Sequence, residues 1–379
     1  MCDLDQYIKP GTDLGKELNI KLLEKYKVVK LLGVGGFGKV YKIEKIDDPN
    51  KYYALKVIDL TNEHNQQKFL KEKSILKKFT KFSLFQKSGK CNHPNINCHL
   101  DVIHTDACGY ILTNYFNTDL EKDIKVNKGF KFRALKNIKY LSQYVKWIQN
   151  LASSITYIHS KLLAHGDLKP GNILINTDKD YLAITDFDTL CIINIKNEFC
   201  NLTDLTDIYA SPELFDIMGD KKARTHVPVE IIQTSDYWAL CIIILELWLG
   251  NDELMTLLTI GLPTPFFAAD FYKYIEKNKD FFNKLKISAV KMAINGVPKN
   301  IEIQITPVLN LLLQAIILME RISAKKAQKG DFYVLLKTIN DLVVDNSTMA
   351  GGVVSLKDKY YYYKNKYLET KHRLFLNEF

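Results

Sequence analysis

Short β-branched runs dominate the first third of the chain, and apolar residues at helical spacing dominate the rest. Lys27-Val28-Val29-Lys30-Leu31-Leu32 reads as a strand, Gly33 to Val40 as a glycine-rich turn, and Tyr41-Lys42-Ile43 as the start of a second strand. Ala54-Leu55-Lys56-Val57 predicts a third strand and Gly109 to Phe116 another. Between them, Phe69, Leu70, Ile75, Leu76 and Phe79 fall on one helical face, predicting a helix from Gln66 to Phe79. A long amphipathic helix is expected from about Ile138 to His159, and a buried helix opening at Ser235. The longest apolar run, Tyr237 to Leu245, is flanked by Asp236 and Glu246 and is too short to span a bilayer, so no membrane insertion is expected. Residues 251–318 continue in Phe- and Leu-rich helical patterns, and the small, polar stretch around 343–355, with Gly351-Gly352, reads as a linker.

A chain of 379 residues suits one large or two medium domains. The formal net charge of +9 would fit an acidic partner, but the lysines are scattered, which favours a solvated surface over a nucleic-acid face. Seven cysteines at irregular spacing predict free thiols in a reducing compartment. The first residues lack a charged-then-apolar signal pattern, so a soluble, intracellular protein is expected.

Candidate chemistry sits in His165-Gly166-Asp167-Leu168-Lys169-Pro170-Gly171-Asn172-Ile173-Leu174, followed by Thr185-Asp186-Phe187-Asp188. Carboxylate and amide oxygens at this spacing suit Mg²⁺, while a further Asp and a Lys can face reacting oxygens. Gly33-Val34-Gly35-Gly36-Phe37-Gly38 is a weak signal alone, but a strand follows it rather than a helix, which argues against a dinucleotide fold. Its small residues let backbone N–H groups approach phosphates, and Phe37 can cap the loop tip. Lys56 within an apolar strand needs an anionic partner or an exposed edge. Glu72 on the following helix is the expected partner, and Glu63, in the polar approach, is its rival. Cys91, His93, Cys98, His99, His104 and Cys108 crowd together and suggest zinc, but no paired zinc-ligand spacing is present.

The order Lys56, Glu72, Asp167, Asn172, Asp186, Glu213, Asp236, Arg321 resembles that of eukaryotic-type protein kinases over roughly residues 26–340. The resemblance implies an α+β, bilobal fold: a small antiparallel β-sheet lobe with one main helix, and a larger, mainly helical lobe. It implies an N-terminal extension over 1–24, a kinase domain over 25–342 divided near 116, and a linker and basic Tyr-rich tail over 343–379. Leu32, Gly33, Val34, Gly35, Gly36, Phe37, Gly38, Lys39 and Val40 would cover the phosphates of ATP, and Val40, Ala54 and Leu174 would sandwich the adenine. The hinge at Asn114-Tyr115-Phe116-Asn117 would meet the adenine edge, with Thr113 guarding the back of the pocket and Asp119 near the ribose. Lys56, steadied by Glu72, would hold the α- and β-phosphates; Asp186 and Asn172 would bind Mg²⁺, with Mn²⁺ as a substitute. Asp167 would receive the acceptor proton, Lys169 would neutralise transferring charge, and Thr206 would meet both.

Lys169-Pro170 resembles the serine/threonine form, which implies a protein substrate with a Ser or Thr acceptor. Asp236 would cap its own helix or hold the catalytic loop from below, and Glu213 would pair with Arg321. The tail around Tyr360-Tyr361-Tyr362-Tyr363 resembles ends common in giant DNA virus proteins, which implies a viral protein of the host cytoplasm or virion; a helix docked on its own kinase domain is the other reading. Three departures stand out. Gly166 replaces the Arg that pairs with an activation-loop phosphate, which implies activity without loop phosphorylation. Asp188 replaces a Gly, and Leu205 stands where a Gly often precedes the Thr. A nucleotide-binding pseudokinase scaffold is the main competing function and a small-molecule or lipid kinase the lesser one. Retention of Lys56, Asp167, Asn172 and Asp186 together argues against the scaffold.

Overall fold

The computed structural model describes residues 23–35, 38–81, 90–187, 191–192, 199–200, 206–220, 222–223, 226–260, 262 and 268–342. Expectations for residues 1–22, Gly36, Phe37, Asp188, Leu205, the linker and the tail lie outside the described residues. The chain divides into two units. The first runs to Asn117 and adds Leu174–Thr177 and Ala183–Asp188; the second takes the remainder.

The first unit is built on β1 (Tyr26–Gly35), β2 (Gly38–Lys45), β3 (Tyr52–Asp59), α1 (Glu63–Phe79), the short pair β4 (Thr80–Lys81) and β5 (Lys90–Cys91), then β6 (His99–His104) and β7 (Cys108–Asn114). Five strands form one antiparallel sheet in the order β1-β2-β3-β7-β6. Where the sequence predicts a glycine-rich turn from Gly33, β1 continues to Gly35 and pairs it with Gly38. Neither glycine is forced there by crowding: a Cβ would meet nothing within 4 Å at Gly33 and only Gly38 O, at 3.8 Å, at Gly35. Gly38 is constrained. Its φ is 154°, and a Cβ would sit 2.2 Å from the Val57 carbonyl oxygen.

Pleating sorts the sheet into two faces. Tyr41, Ile43, Leu55, Val57, Tyr110 and Leu112 form a buried apolar core with Leu23, Tyr26 and Val28. Because Val40 pairs with Lys56, Lys42 with Ala54, and Ala54 with Thr113, these residues all lie on the opposite face. Cys91 and Cys98 are joined by a disulfide and Cys108 is also disulfide-bonded, contrary to the expectation of free thiols; Cys241 is a free, buried thiol. The physical reason is proximity: the loop between residues 91 and 98 folds back, which irregular spacing in sequence does not reveal. Among the described residues no cluster of three or more His, Cys, Asp or Glu could hold a metal ion.

The second unit is mainly helical: α2 (Leu120–Asn127), α3 (Phe130–Lys136), α4 (Lys139–Ser160), α5 (Pro212–Gly219), α6 (Val229–Leu249), α7 (Asn251–Leu258), α8 (Ala268–Lys277), α9 (Phe281–Ile294), α10 (Lys299–Ser323) and α11 (Lys329–Asp341). Asp119 N-caps α2, accepting from Lys122 N at 2.8 Å and pairing with its Nζ at 2.6 Å. The central helix α6 is apolar all round and buried from Ser235 to Leu249, as a core helix must be. Tyr144 on α4 donates its hydroxyl to Ile244 O at 3.1 Å, and its ring meets Trp248 edge-on. Tyr237 stacks on Phe332 of α11.

The apolar run read from sequence understates this helix. Val229–Leu249 and Gln304–Ser323 are long and apolar enough to cross a membrane by length and composition, with 78% and 50% of those windows buried inside the fold.

Candidate active site

Lys56 lies mid-strand in β3, among apolar neighbours that would make a lone ammonium costly. Its Nζ donates to Glu72 Oε2 at 2.9 Å and Oε1 at 3.2 Å. Glu72 sits in the middle of α1 and is buried, so the pair is shielded and both carboxylate oxygens are used. The rival, Glu63, is at the exposed start of α1, where its Oε1 accepts from Gln67 at 3.4 Å.

Of the predicted nucleotide-contacting residues, Leu32, Gly33, Val34 and Gly35 are exposed at the end of β1, and Gly38, Lys39 and Val40 are half-buried. Ala54, Thr113, Tyr115 and Leu174 are half-buried in the same unit. Sequence reasoning missed a cation–π arrangement at Tyr115: Lys42 Nζ lies 3.4 Å from the Tyr52 ring centroid and 4.5 Å from that of Tyr115. The alternation that puts Lys42 on the face of Val40 and Ala54 carried that signal.

Asp186 adopts a left-handed φ of 63°, a sparsely populated region for a non-glycine residue. The chain on either side of it is fixed. Ile184 donates its N–H to Asn95 O at 3.0 Å and accepts from Asn97 N at 2.8 Å. Phe187 is buried and its ring lies 5.1 Å from that of Phe79.

In the second unit, the loop after α4 brings four predicted residues together. Asp167 Oδ1 accepts from Thr206 Oγ1 at 2.7 Å, and Asp167 Oδ2 accepts from Lys169 Nζ at 2.6 Å. Lys169 Nζ also donates to Thr206 Oγ1 at 2.7 Å. Asn172 Nδ2 donates to Asp167 O at 2.8 Å and Oδ2 at 3.2 Å, which crosses the turn and fixes the aspartate's orientation.

Asp236 supports this loop from α6. Its Oδ2 accepts from His165 N and bonds His159 Nε2, each at 2.8 Å, and its Oδ1 accepts from Gly166 N at 2.9 Å. Three bonds compensate a carboxylate only 2% exposed. Of the two roles expected for Asp236, it performs the second. It cannot cap its helix because α6 begins seven residues earlier, at Val229. The His159 bond was not foreseen, since it joins residues 77 apart in the chain. Gly166 has φ 81°, a conformation an arginine there would adopt only with strain.

The segment from Thr206 is tied down at several points. Tyr209 OH donates to Glu246 Oε2 at 2.6 Å, Trp238 Nε1 to Ile208 O at 3.0 Å, and Tyr272 OH to Ala210 O at 2.7 Å. Ser211 N donates to Ser235 Oγ at 2.8 Å, and Ser211 Oγ caps α5. Burial pushes the Glu246 carboxyl up to about 7, against the hydrogen bond from Tyr209. The expected Glu213–Arg321 pair is not formed. Arg321 Nη1 pairs with Asp331 Oδ1 at 2.7 Å, and Glu213 lies 3.7 Å from Lys325 Nζ. Asp331 is a nearer carboxylate, brought up by the tight turn from α10 into α11.

Residues 26–257 match the family described as Protein kinase domain. The chain belongs to the protein kinase family. The kinase is 32% identical over 227 residues to a probable cell division protein kinase of Encephalitozoon cuniculi, a match covering 59% of this chain and 72% of that protein. It is 30% identical over 248 residues to cell division control protein 2 homolog 3 of Trypanosoma brucei brucei, covering 64% and 69%. It is also 29% identical over 242 residues to an Aurora kinase of Eremothecium gossypii, covering 64% and 57%. Within the family it is a protein-serine/threonine kinase.

Proposed function

We propose that the kinase transfers the γ-phosphoryl group of ATP, with Mg²⁺, to a serine or threonine hydroxyl, and that Asp167, Lys169, Asn172 and Thr206 carry the transfer. The observation that supports this most is their hydrogen-bonded cluster, with Asp167 oriented from both oxygens. The donor set suits a hard cation. Asn172 spends its amide nitrogen on Asp167, which leaves its carbonyl oxygen for a metal, and Asp186 offers carboxylate oxygens. Asp186 and Asn172 would hold Mg²⁺, which when bound neutralises phosphate charge; Mn²⁺ fits the same oxygen donors.

Asp167 orients the acceptor hydroxyl and takes its proton as the new P–O bond forms and the bond to the ADP oxygen breaks. Asp167 Oδ1 keeps a lone pair for this beyond the one used by Thr206, while Oδ2 accepts from both Lys169 and Asn172. Lys169 stabilises the charge that gathers on the transferring oxygens. Lys56, held by Glu72, binds the α- and β-phosphates, and the face of Val40, Ala54, Thr113 and Leu174 receives the adenine, with Tyr115 at its edge. The backbone from Leu32 to Val40 covers the phosphates.

Beside the cluster, a cleft of about 250 Å³ is lined by Lys169, Gly171, Thr206, Glu121 and Glu246. It suits the acceptor segment of a protein. A viral source rests on the Tyr/Lys tail and the Lys/Asn/Ile-rich usage of the chain, and the three relatives above come from cellular organisms.

The test is phosphoamino-acid analysis of general protein acceptors after incubation with γ-labelled ATP and Mg²⁺. Phosphoserine or phosphothreonine is expected, lost when Mg²⁺ and Mn²⁺ are chelated. Nucleotide bound without label in any acceptor would establish a scaffold instead.

A further inference from the structure

The Cys91–Cys98 disulfide closes a loop whose inner residues grip the strand leading to Asp186. His93, Asn95, Ile96 and Asn97 are all buried, although the sequence between the cysteines is polar. Asn95 and Asn97 hold Ile184 from both its N–H and its carbonyl, and Ile96 forms a parallel bridge with the same residue. At the loop's other side, Asn92 N donates to Phe79 O at 2.9 Å at the end of α1, the helix that carries Glu72. The Phe79 ring then packs on Phe187. One covalent closure therefore constrains a loop bonded both to the end of α1 and to the backbone two residues before Asp186. All of these residues lie within the first unit.

Each sulfur also lies near a backbone carbonyl. Cys91 Sγ lies 3.2 Å from Ile96 O and Cys98 Sγ 3.6 Å from Phe79 O, so each S–H, once formed, has a carbonyl to receive it. Cys91 is half-buried and Cys98 only 3% exposed, which makes Cys91 the sulfur open to attack.

We propose that Cys91 and Cys98 form a reversible thiol–disulfide site, exchanging with a dithiol, whose oxidation state sets how firmly the Ile184–Phe187 segment is held. A thiolate of the dithiol attacks Cys91 Sγ, the S–S bond breaks, and Cys98 leaves with the electron pair and takes a proton. The second thiolate of the dithiol then displaces Cys91, which is protonated in turn. Two electrons pass from the dithiol, which ends as a cyclic disulfide, to the cysteine pair; the reverse exchange closes the loop. Opening it restores chain freedom to residues 92–97 and loosens their grip on Ile184. The consequence for nucleotide binding rests on the metal role proposed for Asp186.

The experiment equilibrates the full-length protein with reduced or oxidised dithiothreitol, without nucleotide. Differential alkylation with mass spectrometry reads the 91–98 pair, and hydrogen exchange reads the amides of residues 182–187. The expected result is a 91–98 disulfide under oxidation and, on reduction, at least about fivefold faster exchange at Ile184. The Cys91→Ser/Cys98→Ser double variant should exchange at the reduced rate in both buffers, and wild type under reduction gives the same comparison should that variant fold poorly. Absence of the disulfide under oxidation, equal exchange in the two states, or an unchanged redox response in the double variant would each overturn the proposal. Affinity for MgADP, measured in parallel, reports separately on Asp186: exchange that changes while affinity does not leaves the redox site standing and counts against the metal role.

Discussion

Glu246 shows how much one buried carboxylate can cost. It is 3% exposed and accepts from Tyr209, yet burial still lifts its pKa from 4.5 to about 7. The folded protein therefore holds a proton there that the unfolded chain releases above 4.5. Stability linked to this group is fully present below pH 4.5 and is lost as pH rises through about 7. By linkage the loss amounts to roughly 3 kcal/mol. Glu246→Gln keeps an oxygen for the Tyr209 hydroxyl and removes the titration. Chemical denaturation from pH 5 to 8.5 should show the variant gaining on wild type as pH rises, with little difference at the acid end. A constant offset across that range would show that Glu246 is already ionised in the fold. Lys56 and Glu72 were legible at this scale because a lysine inside an apolar strand demands an anion, and the next helix supplies one at the right place. Arg321 was misread because its charge is satisfied by Asp331, ten residues on, and nothing in the spacing favours Glu213 over that nearer carboxylate.

Among the elements, the segment from Thr206 to Ser211 is held by hydrogen bonds to Glu246, Trp238, Ser235 and Tyr272, three of them on α6. The loop before it is held from the same helix by Asp236. With Gly166 in place of an arginine, the catalytic loop offers no guanidinium to a phosphate, and these neutral bonds take over the positioning. Thr203→Glu, a phosphate mimic in the activation segment, should accordingly change kcat by less than about twofold, whereas engaging an arginine cluster would bring new charge-assisted bonds and a large gain. A rise of tenfold or more in steady-state assays would show that the segment needs a charge after all. The strands, α1 and α4 could be read from periodicity because each buries one regular face. The start of α6 could not: the residues from Val229 to Thr234 are mixed in polarity, and the helix becomes uniformly buried only from Ser235. The His159–Asp236 bond depends on distant chain segments meeting in space, which local patterns do not encode, and the irregular cysteine spacing does not reveal that residues 91–98 fold back on themselves.

For the molecule as a whole, each unit carries part of the candidate machinery. The first holds the Lys56–Glu72 pair, the face of Val40 and Ala54, and Asp186; the second holds Asp167 with Lys169, Asn172 and Thr206. Family membership follows from residues 26–257, while the work of individual side chains follows from the bonds each makes. The most direct test of the account is a single-turnover measurement with γ-labelled ATP, Mg²⁺ and a protein acceptor, comparing wild type with Asp167→Asn and checking MgADP affinity in both. Asp167→Asn should bind MgADP within about threefold of wild type and lose on the order of 10²–10⁴ in the transfer rate, the worth of a positioned general base. Transfer at the wild-type rate by Asp167→Asn would contradict it.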